Sequence, residues 1–113
     1  MIGHLPTTSL NDRIEQLEEI FAEREADVLA YVPEPGRFDR LRHDAAALVQ
    51  RWPDSAARPP LFGVLVGVKD IFRVDGFPTR AGSQLPAEAL AGPEAASVRR
   101  LKDAGVLIVG KTV

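Results

Sequence analysis

The run Leu61-Phe62-Gly63-Val64-Leu65-Val66-Gly67-Val68-Lys69-Asp70 is aliphatic almost throughout and ends on a charged pair. Pro59-Pro60 bounds it upstream. A short apolar run between turn signals reads as a strand buried on both faces, the kind that builds parallel sheets. Such strands present their chemistry at their carboxyl ends, and Lys69 stands at this one. Burial there would strip an ammonium of water and draw its pKa from ~10.4 towards neutral, leaving a proton acceptor. Lys69 is therefore the first candidate catalytic residue. The competing reading is structural: a lysine that snorkels to water or pairs with the adjacent Asp70 carboxylate. Spacing alone leaves both open.

Downstream, Asp75-Gly76 reads as a turn and residues 77–83 as a non-regular loop. Gly92-Pro93 predicts a helix opening with proline at its first position, and Gly105 predicts its close. Ala95, Val98, Leu101 and Ala104 form the apolar stripe of that helix. Val106-Leu107-Ile108-Val109 follows as a second buried strand. Strand, connection, helix and strand make a βαβ unit, whose strands run parallel with a right-handed crossover. A parallel pair needs further strands and helices on both faces, so the sheet is expected to be incomplete in this chain.

Upstream the character is helical. Ser9 to Leu29 carries a capping box at Ser9-Leu10-Asn11-Asp12, and Leu10, Ile14, Leu17, Phe21 and Val28 recur at helical spacing. Pro33, Pro35 and Gly36 break this helix. A second runs from about Arg37 to Trp52, with Phe38, Leu41, Ala45, Leu48, Val49 and Trp52 as its stripe. Pro53 stops it, and residues 54–60 form a proline-rich linker. The expected division is residues 1–60, a helical hairpin with its linker, and residues 61–113, the first part of an α/β domain.

The 113 residues are 45% hydrophobic and 27% charged, which fits a globular chain, and a net charge of −2 offers no basic surface for nucleic acid or anionic lipid. No stretch approaches the ~20 apolar residues that span a bilayer, and residues 1–8 lack the charged flank and apolar core of a secretory signal. With no cysteine, disulfide and thiolate chemistry are excluded, and the expected location is the cytoplasm. His4 and His43 read as solvent-facing. No cluster of metal-ligand spacing is present, so neither metal nor cofactor is expected. Ala81-Gly82-Ser83 can expose a hydroxyl but reads more simply as a turn.

Gly105-Val106-Leu107-Ile108-Val109-Gly110-Lys111-Thr112 satisfies the phosphate-binding spelling G-x-x-x-x-G-K-[ST]. That loop must follow a strand, turn its N–H groups onto a phosphate and lead into a helix. Here a helix precedes, the intervening residues are aliphatic, and Val and Ile resist the positive φ of a phosphate cradle. The reading adopted is a strand followed by a turn, with a nucleotide-binding loop as the alternative. A third possibility is a non-catalytic interaction module.

Three blocks carry a resemblance. They are Gly63 to Ile71, then Val74 to Ser83, then Ala104 to Thr112, and in this order they resemble the start of the amidase signature family. The resemblance implies a large α/β/α sandwich around a mixed sheet and hydrolysis of small-molecule carboxylic amides by a Ser–cis-Ser–Lys triad. Lys69 would be the base, taking a proton through the bridging cis-serine from the nucleophilic serine. Leu65 departs from the proline common there. The Gly/Ser-rich block with both triad serines would lie beyond Val113, so Ser83 and Ser97 are not assigned, and the chain by itself is expected to be inactive. Lys69-Asp70-Ile71-Phe72 and Gly110-Lys111-Thr112-Val113 lean towards stand-alone amidases over the glutaminyl-tRNA amidotransferase branch.

Overall fold

A computed structural model describes residues 9–113. Helix α1 (Leu10–Val28) begins where the capping box predicts, with Ser9 Oγ accepting the Asp12 N–H at 3.1 Å. Helix α2 (Arg37–Arg51) stops one residue before Trp52, as a residue preceding Pro53 leaves the helical region. The two helices pack as a hairpin, with an Arg42–Glu18 ion pair across it. Strands β1 (Leu65–Lys69) and β2 (Leu107–Thr112) pair in parallel, joined through loops and helix α3 (Ala96–Asp103). Among the described residues no helix is long and apolar enough to cross a membrane.

The two faces of the sheet bury different partners. Leu107 and Val109 face the hairpin and pack with Ile14, Leu41, Ala45 and Leu48. Ile108 and Val106 lie with Val68, Val74 and Val98 of α3 on the other side. Ile14, Leu41 and Val98 are fully buried, each worth ~1.5–3 kcal/mol relative to exposure. The hairpin thus rests directly on β2 and shares one core with it.

Gly105 joins α3 to β2 in a way only glycine permits. Its φ is +101°, its N–H donates to the Lys102 carbonyl, and the Val106 N–H reaches back to the Leu101 carbonyl. This is a Schellman stop, completed by Val106 packing beside Leu101. A Cβ on Gly105 would stand 2.7 Å from the Phe62 Cα, because the residue 61–63 turn lies against it.

The strand expected from the run at residues 61–70 begins late, at Leu65, and ends at Lys69. Phe62 N–H donates to the Pro59 carbonyl, Val64 N–H to the Leu61 carbonyl, and Gly63 has φ +78°, so residues 59–64 turn before β1 begins. Nor is β1 buried on both faces. Leu65 and Val66 are half-buried, Gly67 and Lys69 are exposed, and only Val68 is buried. Helix α3 starts at Ala96 rather than Pro93, since the preceding residues are held by other partners. The Ala95 N–H donates to the Arg73 carbonyl, and the Glu94 carboxylate receives the Asp75 N–H and the Lys102 ammonium. Burial pushes the Glu94 carboxyl up, but these donors outweigh it and hold it below its usual range. Val28 and Val49, placed on apolar stripes, are 57% and 40% exposed.

One pairing has no precedent in the strand pattern. Residues 30–32, between the hairpin helices, lie antiparallel to the end of β2. Val32 N–H donates to the Lys111 carbonyl at 2.8 Å, and Val113 N–H to the Ala30 carbonyl at 2.9 Å. Glu25 fixes this segment by accepting the Ala30 and Tyr31 N–H groups.

Candidate functional site

The site forms where both strands end. Val66 pairs with Ile108 but Gly67 pairs with Gly110, so Val109 has no partner in β1. A bulge of this kind re-aims the side chains that follow it. In a regular strand Lys111 would share the hairpin face with Leu107 and Val109. After the extra residue it meets the loop that follows β1 instead. The bulge also turns the Ile108 and Val109 carbonyls outward, where guanidinium groups receive them. Arg40 donates to both carbonyls at 2.9 and 2.8 Å, and buried Arg37 donates to Val109 at 3.0 Å. Gly110 is required beside them, since a Cβ there would collide with Arg37 Nη1 at 1.9 Å.

Lys111 is 2% exposed, and its Nζ donates to Asp70 Oδ1 at 2.7 Å. Thr79 Oγ1 and the Pro78 carbonyl each lie 3.4 Å from the same nitrogen. Asp70 is 6% exposed and is held from every side. Its N–H donates to the Thr112 carbonyl, its carbonyl accepts the Ala81 N–H, and Oδ2 accepts the Arg80 N–H at 3.2 Å. Such a charge pair is tolerated in the interior because each member's hydrogen-bonding capacity is met.

Lys69, one residue before Asp70, is different. It is exposed, and Nζ donates only to the Val113 carbonyl, at 3.0 Å. The expected burial of Lys69 is corrected here, and so is the ion-pair form of the competing structural reading. The desolvated lysine at this end of the sheet is Lys111, not Lys69. The Asp70 carboxylate pairs with Lys111 across 41 residues of sequence, not with its neighbour. The strand-end position of Lys69 itself is as expected. Its amine is the one at this end that pairs with no aspartate or glutamate side chain among the described residues.

The other singled-out residues do not join it. Ser83 sits in a turn with Ala81 at φ +50° and Gly82 at φ +72°, and its Oγ accepts the Leu85 N–H. Ser97 is exposed in the first turn of α3, and His43 is exposed on α2. His4 lies outside the described residues. Residues 107–112 are strand, so the phosphate-loop alternative fails on geometry. Gly105 serves a helix stop, Gly110 makes room for Arg37, Lys111 meets Asp70, and Thr112 packs over Gly67. Mg-ATP titrated into the protein should give only heats of dilution by calorimetry. Saturable binding that Lys111→Ala removes would overturn the strand reading.

The family model described as Amidase matches residues 36–113. The chain is 54% identical over 54 residues to an amidase of Pseudomonas putida, covering 47% of this chain and 11% of that one. It is 45% identical over 73 residues to a Glutamyl-tRNA(Gln) amidotransferase subunit of Anaeromyxobacter sp. (strain K), covering 65% and 15%. Relatives of both branches therefore match. The solved structure of the native peptide amidase from Stenotrophomonas maltophilia superposes with a TM-score of 0.67 at 28% identity, over 97% of this chain and 22% of that one. This chain spans less than a quarter of the length of each of these relatives. Because the match takes in α2, both strands and everything between them, the chain belongs to the amidase family.

Proposed function

We propose that this chain supplies the lysine base of an amide hydrolase that acts on small-molecule carboxylic amides in the cytoplasm. The observation that carries the reading is the contrast between two lysines at one end of a parallel sheet. Lys111 is committed to Asp70, whereas the Lys69 amine is exposed and held by a single carbonyl. A base must be able to take and release a proton, and a buried ammonium locked to a carboxylate is poorly suited to that.

In this reading Lys69 accepts a proton relayed through one serine from a second, nucleophilic serine. The nucleophile attacks the amide carbon, the amine leaves with a proton, and water cleaves the acyl-enzyme. Both serines would come from a segment other than these residues. No cofactor or metal enters the scheme. The remaining part of the amidase domain would extend the sheet and close the site over Lys69.

Two experiments test this. The purified chain, assayed against simple amides, should match buffer, since a base with no nucleophile has nothing to activate. Turnover lost on Lys69→Ala would overturn that assignment of roles. Residues 36–113 grafted into the peptide amidase in place of its matching segment should sustain amide hydrolysis. A folded graft without turnover would sink the reading.

A further inference from the structure

We propose that Asp70 and Lys111 are positioning residues for Lys69; the proposal rests on the reading of Lys69 as the base. A base on a strand end requires a fixed Cα and an accessible amine. Lys69 has both. Its amine is exposed, while the residue following it is held by four hydrogen bonds. These run to Thr112 of β2, to Ala81 and Arg80 across the loop, and to the Lys111 ammonium. The loop of residues 70–81 is thereby closed into a ring at Asp70, and the ring is tied to β2 at two points.

Energetics favour a role beyond stability. A buried ion pair seldom outperforms a well-packed apolar pair of similar volume, because desolvation offsets the Coulomb attraction. Leucine and methionine could fill the same volume, but they would leave the Arg80 N–H, the Pro78 carbonyl and the Thr79 hydroxyl without the partners the pair supplies. What the ionic pair adds is direction. The carboxylate can receive Lys111 on one oxygen and the Arg80 N–H on the other, which apolar side chains cannot do. The bulge at Val109 is what brings Lys111 to this side of the sheet, so the register of β2 and the placement of Lys69 are coupled. The pair also occupies the second ammonium at this end, leaving one amine available.

The test uses the 113-residue chain, which contains three lysines, at 69, 102 and 111. Isotope-labelled wild type is compared with the double variant Asp70→Leu/Lys111→Met and with Asp70→Asn. The readouts are the Lys69 Cα and Cβ chemical shifts, amide hydrogen exchange, and acetylation by acetic anhydride mapped by peptide. In wild type, Lys69 should be acetylated and Lys111 protected. The double variant should stay folded with a cooperative unfolding transition, while the Lys69 shifts move towards coil values. Amides of residues 69–81 should exchange about 10-fold faster or more, with those of α1 and α2 unchanged. Asp70→Asn, which keeps the side-chain shape, should move the same signals and expose Lys111 to acetylation. Two results would overturn the proposal. One is a folded double variant with Lys69 shifts and loop exchange as in wild type. The other is a uniform loss of protection through α1, α2 and β2 in both variants, which would make the pair a general staple. None of these readouts uses turnover, so a failed graft would count against Lys69 as base and not against its positioning.

Discussion

Lys69→Ala in the grafted amidase should lower kcat by roughly 10²–10⁴-fold, the contribution typical of a positioned general base. KM should change little, because the amine is assigned to proton transfer and not to holding the substrate. Stability should also change little. In the 113-residue chain Lys69 is exposed and makes one hydrogen bond, to the Val113 main-chain oxygen, so there its removal falls in the class of surface substitutions worth about ±0.5 kcal/mol. Steady-state kinetics on the purified graft, with a thermal melt beside it, separates the two effects. A variant that keeps most of kcat with an unchanged melt would return Lys69 to a structural part.

The second large effect is on folding. Gly105→Ala should destabilise the chain by about 3 kcal/mol or more, combining a strained positive φ with a collision that no rotamer relieves. The added Cβ meets the Phe62 Cα at 2.7 Å, the Pro59 Cγ at 2.9 Å and the Phe62 N at 3.0 Å. Two of these atoms are backbone. Moving them also breaks the bonds from the Leu61 and Gly63 N–H groups to the Ala104 and Gly105 carbonyls. Gly82→Ala is the control, because Gly82 has φ +72° and nothing within 4 Å of the new Cβ. It should cost only the backbone term, about 1–2 kcal/mol. Urea unfolding of both variants measures the difference, and equal midpoints would refute the collision.

Elements set by local chemistry were legible in the sequence. Ser9 and Asp12 fix the start of α1 and Gly105 the end of α3 through bonds among neighbouring residues, and Pro53 ends α2 by restricting the backbone of Trp52. The parallel pairing followed from chain connectivity. Lys69 at a strand end was legible for the same reason. The Asp70–Lys111 pair was not, since it depends on a one-residue register shift that leaves no mark in the alternation of apolar residues. Alternation taken at face value puts Lys111 on the wrong face. The late start of α3 was hidden likewise, because Glu94 and Ala95 bond to Asp75, Lys102 and Arg73 rather than to the helix. Residues 30–32 carry proline and glycine close behind them, which signalled only a break, yet they supply a paired edge.

That edge gives the sheet a polarity. On the β2 side, guanidinium groups take the Ile108 and Val109 carbonyls, and residues 30–32 pair with the Lys111 carbonyl and the Val113 N–H. On the β1 side, alternation turns the peptide groups of Leu65 and Gly67 outward, and the described sheet stops there. Among the described residues the sheet is therefore left more open along β1 than along β2. Two copies that met along β1 would consume both open borders at once, giving a closed pair rather than a fibre.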